Sequence, residues 1–418
     1  MQERPELLKG REYLYAIAIF AVLFILSLAL SYYSYIKFTQ NPTIDLTCKV
    51  INQYEKSGYH GDFYMLKLDC GGVQIYTSKS LKIGDVTDKK VVADFDLGRI
   101  DFLGYIKGFY AKSKDFSVIE DESFKSKLNT VIAAQHKDKE IATIYKALFT
   151  AAPQDQALRQ KLSALGVSHL MAISGFHLGV LSGVLFFLLG ALYKPFHKRY
   201  LPYRNANRDL FIVVAVSLFF YMWFLDFTPS LVRSFGMLIV GYFLYDRGVK
   251  IISMQTLFLT LLLLVSLFPK LLFSLSFWLS ASGVFYIFLF MKHMRTLHKI
   301  TAFFLLSIFV YLAMLPFSLY IFGSFSLLHP LSVVWTMLFS IFYPLSILLH
   351  VSGFGGLLDS SLMAFLNLAQ TTQPLFISAD IFYSHIALSL MAVRYRVLFF
   401  LLALESFLLF IYAMQNVT

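Results

Sequence analysis

A polar segment interrupts the apolar sequence near the middle of the chain, between Gly166 and Gly183. Within it, Ser174 precedes a glycine, and this pair of residues is a plausible helix break. Ser174 could then cap a half-helix that begins near Phe176, directing free N–H groups and the positive end of the helix dipole at a bound anion. On an unbroken helix, Ser174 and His177 would merely bond to neighbouring helices. The residues alone leave both interpretations open.

Glycines recur at every fourth position of this segment, at Gly175, Gly179 and Gly183. At 3.6 residues per turn, they fall within about 80° on one face of a helix. A second helix backbone can approach such a face closely, as in packing between small residues four apart. We therefore predict that the three glycines form a helix-packing face and that His177 points away from it.

Metal binding or hydrolysis is a different chemistry open to the same residues. His169 and His177 are eight residues apart, which is about 80° around a helix and permits them to share a metal ion. With Ser174, they could also serve a membrane-embedded hydrolase. However, no third ligand and no Gly-x-Ser-x-Gly elbow lies nearby, and the chain lacks a phosphate-binding glycine loop. We therefore expect no metal, no cofactor, no ATP hydrolysis and no other enzymatic activity.

Arg233 lies near the predicted outer end of a later apolar stretch. An arginine at that depth is costly in lipid unless it faces water, a partner or an anion. Asp226, seven residues earlier across the turn at Thr228 and Pro229, is a possible partner. The alternative is that the long side chain simply reaches the membrane interface.

The composition indicates whether these residues belong to a soluble or a membrane protein. Of the 418 residues, 58% are hydrophobic and 15% are charged, which leaves too little polar surface for a soluble protein of this size. Several apolar stretches approach or reach the roughly 20 residues that a helix needs to cross about 30 Å of hydrocarbon. The predicted fold class is an α-helical polytopic membrane protein, with spans at residues 13–36, 169–192, 210–225, 231–245, 251–268, 271–291, 301–322 and 397–414.

The net charge of +11 predicts an orientation, because cytoplasmic loops of membrane proteins carry an excess of Lys and Arg. An anionic partner would add to the same excess. Arg4, Lys9 and Arg11 precede the first span and predict a cytoplasmic N-terminus. That span is longer than a signal-peptide core and no small-residue cleavage site follows it, so we expect it to be retained. The remaining basic loops alternate with the spans and contain Lys194, Lys198, Arg199, Arg204, Arg208, Arg247, Lys250, Lys292, Arg295 and Lys299.

Residues 43–120 have a different pattern, which predicts a small β domain outside the cytoplasm. Short alternating runs are separated by glycine-containing turns. About five strands in some 75 residues suit a small barrel, and the five-stranded OB-fold is the obvious candidate. The predicted strands are residues 44–54, 63–70, 73–77, 91–96 and 102–111.

The two cysteines favour this hairpin and this compartment. Cys48 and Cys70 lie symmetrically about Tyr59, so they would face each other across an antiparallel hairpin centred there. In an oxidising compartment they would form a disulfide; two buried free thiols are the alternative. Residues 121–166 follow the domain as three amphipathic segments, which we expect to lie as helices along the outer membrane boundary.

The stretch from residue 327 to 393 is ambiguous. Pro344 falls inside the apolar run from Leu331 to Leu349 and predicts an interruption, which favours a stretch that turns back within the membrane. Residues 375–393 would then cross inward, which would place Arg394 and Arg396 in the cytoplasm. Re-entrant backbone is tolerated where it is buried in protein or lines water, which would suit a channel.

The polar segment also closely resembles the signature of the ComEC competence-protein family, G-x-x-H-L-x-A-I-S-G-x-H. The matching residues are Gly166-Val167-Ser168-His169-Leu170-Met171-Ala172-Ile173-Ser174-Gly175-Phe176-His177. Further resemblance lies at residues 229–234, 273–277, 315–316 and 322–326, and His329 stands where many members have Asn. No His-x-His-x-Asp-His metal signature of the nuclease-like domain of many members occurs, so we expect no nuclease activity.

The resemblance implies that residues 1–42 form an N-terminal segment with the first span and that residues 167–418 form an inner-membrane channel for single-stranded DNA. Its partners would be the DNA strand, membrane lipids, an extracytoplasmic DNA-delivery protein, and a cytoplasmic motor or single-strand-binding protein. A transporter of another anionic envelope substrate is the alternative function. The residues predicted to line the path are His169, Ser174, Gly175, His177, Arg233 and His329.

Overall fold

The computed structural model describes residues 10–58, 61–98, 100–119, 123–171, 173–248 and 253–417. Five residues used in the sequence predictions lie outside these ranges, namely Arg4, Lys9, Tyr59, Ala172 and Lys250. The described chain is mostly helical, with a small sheet domain near its N-terminus. Its helices are α1 (Glu12–Phe38), α2 (Phe102–Lys107), α3 (Phe124–Ala134), α4 (Lys139–Thr150), α5 (Gln156–Ala164), α6 (Ser168–Met171), α7 (Gly175–Tyr200), α8 (Ala206–Phe224), α9 (Pro229–Asp246), α10 (Met254–Leu267), α11 (Leu275–His293), α12 (Lys299–Phe322), α13 (Ser332–Val351), α14 (Asp359–Leu366), α15 (Ala379–Ala392) and α16 (Arg396–Gln415).

Seven of the described helices are long and apolar enough to cross a membrane: α1, α7, α8, α11, α12, α16, and α13 with the turn before it. The chain is therefore a multi-pass membrane protein. Helices α9, α10 and α15 pack among them, although α10 and α15 have only 14 residues each. Local sequence explains several boundaries. Ser274 caps α11 by accepting a hydrogen bond from the Phe277 N–H at 3.2 Å, and Pro229 begins α9, where a missing N–H costs nothing.

The sheet domain contains β1 (Thr43–Gly58), β2 (Gly61–Cys70), β3 (Val73–Ser80), β4 (Lys90–Asp96), β5 (Phe109–Tyr110) and β6 (Lys112–Ile119), in the order β5-β3-β2-β1-β4-β6. Only Ala111 separates β5 from β6, so one segment pairs with β3 in parallel and with β4 in antiparallel fashion. The Ala111 N–H continues the pairing with the Tyr76 carbonyl at 2.9 Å. The sheet therefore closes on itself around an apolar core that includes Leu66 and Phe95.

The strand predicted at residues 102–111 is wrong in two respects: its first half is a helix, and the last long strand of the domain lies later in the sequence. Residues 102–107 form α2, because the Asp101 carboxylate accepts a hydrogen bond from the Gly104 N–H at 3.1 Å and caps a helical turn. The apolar residues of α2 pack against the end of α1, with the Tyr105 ring 5.7 Å from that of Tyr35. The last strand is instead β6, which the sequence analysis did not identify.

The predicted disulfide is confirmed. Cys48 and Cys70 are bonded, with their Cα atoms 4.2 Å apart, and the β1–β2 register places them directly opposite, next to the pair Lys49 and Asp69. Both are almost fully buried in the core of the domain. The bond therefore closes the β1–β2 hairpin at the end away from its turn.

The three amphipathic segments at residues 121–166 form α3, α4 and α5, as predicted. The apolar face of α4 is nevertheless not free to contact lipid, because Ile141, Ile144, Tyr145 and Leu148 are buried in a core shared with α13 and α14. The apolar side of α4 therefore packs on other helices of the protein. The position of the three helices at the membrane boundary stays a prediction.

The helix bundle has two distinct ends. At one end the sheet domain contacts the α10–α11 connection, where Lys270 Nζ donates to the Gly72 carbonyl at 2.8 Å; we call this the β end. At the opposite end, Arg208 lies 3.9 Å from Asp246 and Lys292 Nζ donates to the Val393 carbonyl at 2.8 Å. Basic loops therefore meet at the end away from the sheet domain, which agrees with the predicted charge pattern.

The ambiguous stretch from residue 327 to 393 leaves the bundle at the β end and returns to the same end. Strand β7 (Ser324–Phe325) follows α12 and pairs with β8 (Gln373–Pro374), which precedes α15. The intervening residues therefore begin and end on the same side of the helix bundle. Helix α15 then runs to the opposite end, where the basic loops meet. The predicted interruption at Pro344 is wrong, because α13 continues through this residue for 20 residues. A proline in a helix frees one carbonyl and bends the axis, but neighbouring packing can hold the helix together.

Candidate anion site at the start of α7

The polar segment contains a break between two helices. Helix α6 ends at Met171 and α7 begins at Gly175, with Ser174 in extended conformation between them. The Ser174 hydroxyl accepts a hydrogen bond from the Phe176 N–H at 3.3 Å, so it caps α7. Of the two interpretations of the sequence, the structure therefore has the broken helix.

His177 completes the cap from the other side. Its Nδ1 atom accepts a hydrogen bond from the Ser174 N–H at 3.2 Å, and therefore the ring hydrogen of the neutral imidazole is on Nε2. The side chain is fully buried, edge-on to Phe339 and Tyr343 with ring centroids 5.1 and 4.8 Å away. Nε2 makes no well-formed hydrogen bond among the described residues, although the Leu170 carbonyl interacts with the imidazole.

Arg233 is the second unusual group. Its side chain is 3% exposed, and its guanidinium donates to Ser234 Oγ at 2.8 Å and to Met237 Sδ at 3.1 Å. Nε has no partner, and in the described ranges no carboxylate forms an ion pair with this arginine. The predicted partner Asp226 instead pairs with Lys125 of α3 at 3.0 Å. That prediction was wrong because the turn at residues 225–228 directs Asp226 outward, where the α3 lysine reaches it.

Helix α9 presses directly on the break. A Cβ atom on Gly175 would lie 2.8 Å from Arg233 Nη2 and would clash with Ser234, so only glycine permits this approach. The Ser230 hydroxyl donates to the Ile173 carbonyl at 2.7 Å and ties the two segments together. The predicted glycine packing face is thus correct at Gly175 alone.

The other two glycines of the predicted face are exposed. A Cβ atom at Gly179 or Gly183 would meet nothing within 4 Å in the described part of the chain. No described element therefore packs closely at these two positions, and the packing face observed in this chain is limited to Gly175.

His169 and His329 are placed elsewhere by their hydrogen bonds. His169 Nε2 lies 3.1 Å from Thr336 Oγ1 of α13, and His329 Nε2 donates to the Ser163 carbonyl at 2.8 Å. Both join α13 to the α5–α6 region and do not reach the Arg233 guanidinium. The structure therefore brings Ser174, Gly175 and Arg233 together, whereas a common path for all six predicted residues stays a prediction.

The resulting site is rich in donors and has no acid. It combines the first turn of α7 with the guanidinium of Arg233, whose charge no carboxylate in the described chain balances. Within the same ranges, no three His, Cys, Asp or Glu residues lie close enough to hold a metal ion. The arrangement is suited to binding an anion.

Two polar residues in the middle of the helix bundle were missed by the sequence analysis, the fully buried His385 and the partly exposed Glu405. Glu405 is at the middle of α16 and lies 3.2 Å from His385 of α15. A lone glutamate in the apolar run from Val397 to Met414 was a signal that could have been found, because a charge at that depth is rare and costly. The partner histidine had no local signal.

Comparison with known proteins identifies the helical part. A family model described as Competence protein matches residues 153–415, which is more than half of the chain. The chain belongs to the competence-protein family. The family match covers α5 to α16 and includes the whole anion site, whereas the sheet domain lies before it. Comparisons with curated proteins and with solved structures gave no match. The resemblance inferred from the polar segment is thereby confirmed.

Proposed function

We propose that this competence-family protein is a channel of the inner membrane that conducts single-stranded transforming DNA into the cytoplasm. The observation that carries the proposal is the buried guanidinium of Arg233, which has no carboxylate partner among the described residues. An unpaired buried charge costs several kcal/mol, so a protein gains nothing by keeping it unless an anion meets it in some state. A phosphate of the strand is such an anion.

The first turn of α7 would contribute to the same contact. Its N–H groups and the positive end of the helix dipole favour a phosphate, and the guanidinium can donate two parallel hydrogen bonds to it. In the described state Arg233 is shut off from the surface, with α9 held to the break by the bond from Ser230 to the Ile173 carbonyl. Entry of a strand would therefore require α7 and α9 to separate at this point.

The proposal also places the sheet domain outside the cytoplasm and the N-terminus inside. The meeting of the basic loops at the end opposite the sheet domain supports this orientation. Closure of the sheet through the β5–β6 segment supports an OB-like domain, a fold whose surface commonly binds oligonucleotides. An extracytoplasmic delivery protein would supply the strand there, and a cytoplasmic motor or single-strand-binding protein would receive it. In this proposal the chain conducts the strand and catalyses no reaction.

The test follows fluorescent double-stranded DNA in cells that lack the protein, carry it, or carry Arg233→Gln. We expect the deletion strain to hold nuclease-resistant DNA outside the inner membrane and to form no transformants. Arg233→Gln should behave like the deletion at normal protein level, because glutamine keeps hydrogen-bonding atoms but loses the charge. Arg247→Gln is the matched control, since Arg247 is an exposed arginine at the other end of α9.

Two outcomes would contradict the proposal. If the deletion strain imports and transforms normally, the protein is not the channel, and an envelope defect would favour transport of another anion. If the deletion strain fails to transform but Arg233→Gln transforms like the wild type, the channel proposal stands, and the proposed phosphate contact at Arg233 is wrong.

A further inference from the structure

An acid–base pair of one buried histidine and one partly exposed glutamate lies in the middle of the helix bundle, apart from the anion site. Glu405 Oε2 is 3.2 Å from His385 Nδ1; the glutamate is the tenth of 20 residues in α16 and the histidine the seventh of 14 in α15. His385 is fully buried and the Glu405 side chain is 25% exposed. In the seven described helices that could span a membrane, no other carboxylate lies more than one turn from a helix end.

The hydrogen bonds around His385 fix the position of one of its hydrogens. Ser389 Oγ donates to the His385 carbonyl at 2.7 Å, so it can only accept from the Tyr286 hydroxyl, 2.9 Å away. The Tyr286 oxygen and the Ala313 carbonyl, each 3.0 Å from His385 Nε2, are therefore both acceptors for that nitrogen. Hence Nε2 carries a hydrogen, and in a neutral ring Nδ1 has only a lone pair.

This lone pair faces a carboxylate oxygen, so the contact needs one more proton. Either Glu405 is a carboxylic acid that donates to Nδ1, or His385 is an imidazolium that donates to the carboxylate. Both forms have zero net charge. Removal of the proton to water leaves a net charge of −1 and two lone pairs facing each other, which a buried site does not tolerate. The pair must then separate or become hydrated.

We propose that Glu405 and His385 bind one exchangeable proton inside the membrane and that movement of this proton is coupled to entry of the DNA strand. The inference rests on the proposed function and adds a driving force to it. The pair joins α16 to α15, and α15 follows directly on β8, which pairs with β7 at the root of the α13 excursion. Helix α13 in turn packs on His177 through Phe339 and Tyr343. Loss of the proton would loosen α15 and so bias the packing at the anion site.

Few other titratable groups face the pair. Tyr286 of α11 contacts His385 directly, and Tyr311 of α12 lies against Phe410, about one and a half turns along α16 from Glu405. Helix α12 otherwise contributes the Ala313 carbonyl and the Phe317 ring, neither of which titrates, and no Lys or Arg of the described chain forms an ion pair with Glu405. The charge of the pair is therefore set by its own proton.

The decisive variant is Glu405→Gln. Its amide can donate to Nδ1 of the neutral histidine, which keeps the contact but removes the exchangeable proton. Ser406→Ala is the matched control, because Ser406 is the next residue, is fully buried, and bonds only to the Leu402 carbonyl of its own helix at 2.8 Å. A variant that fails to fold would be recognised by its loss from the reconstituted membrane.

The full chain is reconstituted in liposomes that contain a pH-sensitive dye, and two quantities are measured. Infrared difference spectra between about pH 5 and 9 report carboxyl and imidazole protonation without DNA. Proton flux and strand uptake are then followed after addition of a single-stranded oligonucleotide under a pH gradient. We expect the wild type and Ser406→Ala to titrate one proton that Glu405→Gln lacks, and to conduct protons when the strand enters.

Each failure has a distinct meaning. Identical titration of wild type and Glu405→Gln would overturn the proton site. If the pair titrates and the strand enters under a membrane potential, but no proton flux accompanies its entry, the coupling is overturned and the channel proposal stands. If the wild type passes no strand under any gradient, the channel proposal and the coupling both fail, while the infrared result still decides whether the pair binds a proton.

Discussion

The disulfide between Cys48 and Cys70 offers a prediction whose size follows from the chain itself. The perturbation is reduction of the bond by a non-thiol reductant in the intact protein, which preserves the volume of both buried sulfur atoms. The bonded cysteines are 22 residues apart. In the chain-entropy model, opening a loop of this length removes roughly 3 kcal/mol of stability from the folded domain.

That free energy corresponds to an increase of about a hundredfold in the population of the opened domain, at 1.4 kcal/mol for each factor of ten. The effect should be local. The bond lies between β1 and β2, within the core of the sheet domain and away from the contact of Lys270 with the Gly72 carbonyl that joins the domain to the bundle. Helices α11 and α12, with a separate buried core, should keep their stability.

Amide hydrogen exchange measures both quantities in one sample. Protection at the buried core positions Leu66 and Leu68 of β2 should fall by about a hundredfold on reduction, while amides of α11 and α12 should not change. The double variant Cys48→Ala with Cys70→Ala is the control, because the reductant has no bond to break in it. A change of less than about threefold at Leu66 and Leu68 would refute the chain-entropy reasoning, and would mean that the reduced hairpin stays ordered through the rest of the sheet.

Two further predictions concern packing and hydrogen bonding in the helical part. Gly175→Ala should destabilise the α7–α9 contact by about 1–3 kcal/mol through the clash with Ser234 and should lower both the melting temperature and transformation, whereas Gly179→Ala, which meets nothing, should change neither. Asp359→Ala should cost about 1–3 kcal/mol, because it removes the carboxylate 2.9 Å from His136 Nδ1 and leaves this buried ring nitrogen without its hydrogen-bond partner. Hydrogen exchange at the end of α3 would measure this loss, and unchanged exchange there would mean that water replaces the carboxylate.

The local parts of the architecture were predictable because their causes are local. Apolar runs long enough to cross a bilayer became helices, and a serine before a glycine marked the start of α7 as one of two alternatives. Symmetric spacing about a turn predicted the pairing of Cys48 and Cys70, because the residues that face each other in a hairpin are equally far from its turn. The error at residues 102–111 was also local: alternation there favoured a strand, but the Asp101 cap favours a helical turn over the pattern.

What the sequence determined by itself was therefore the membrane class, most of the helices, the hairpin disulfide and the family signature. Only the tertiary structure decided which groups meet. Asp226 pairs with a lysine 101 positions away instead of with Arg233, Gly179 and Gly183 face outward, and the stretch around Pro344 returns to its starting point through the β7–β8 pairing. The partner of Glu405 likewise comes from another helix. Secondary structure follows from periodicity within one segment, whereas the pairing of buried charges depends on how distant segments pack.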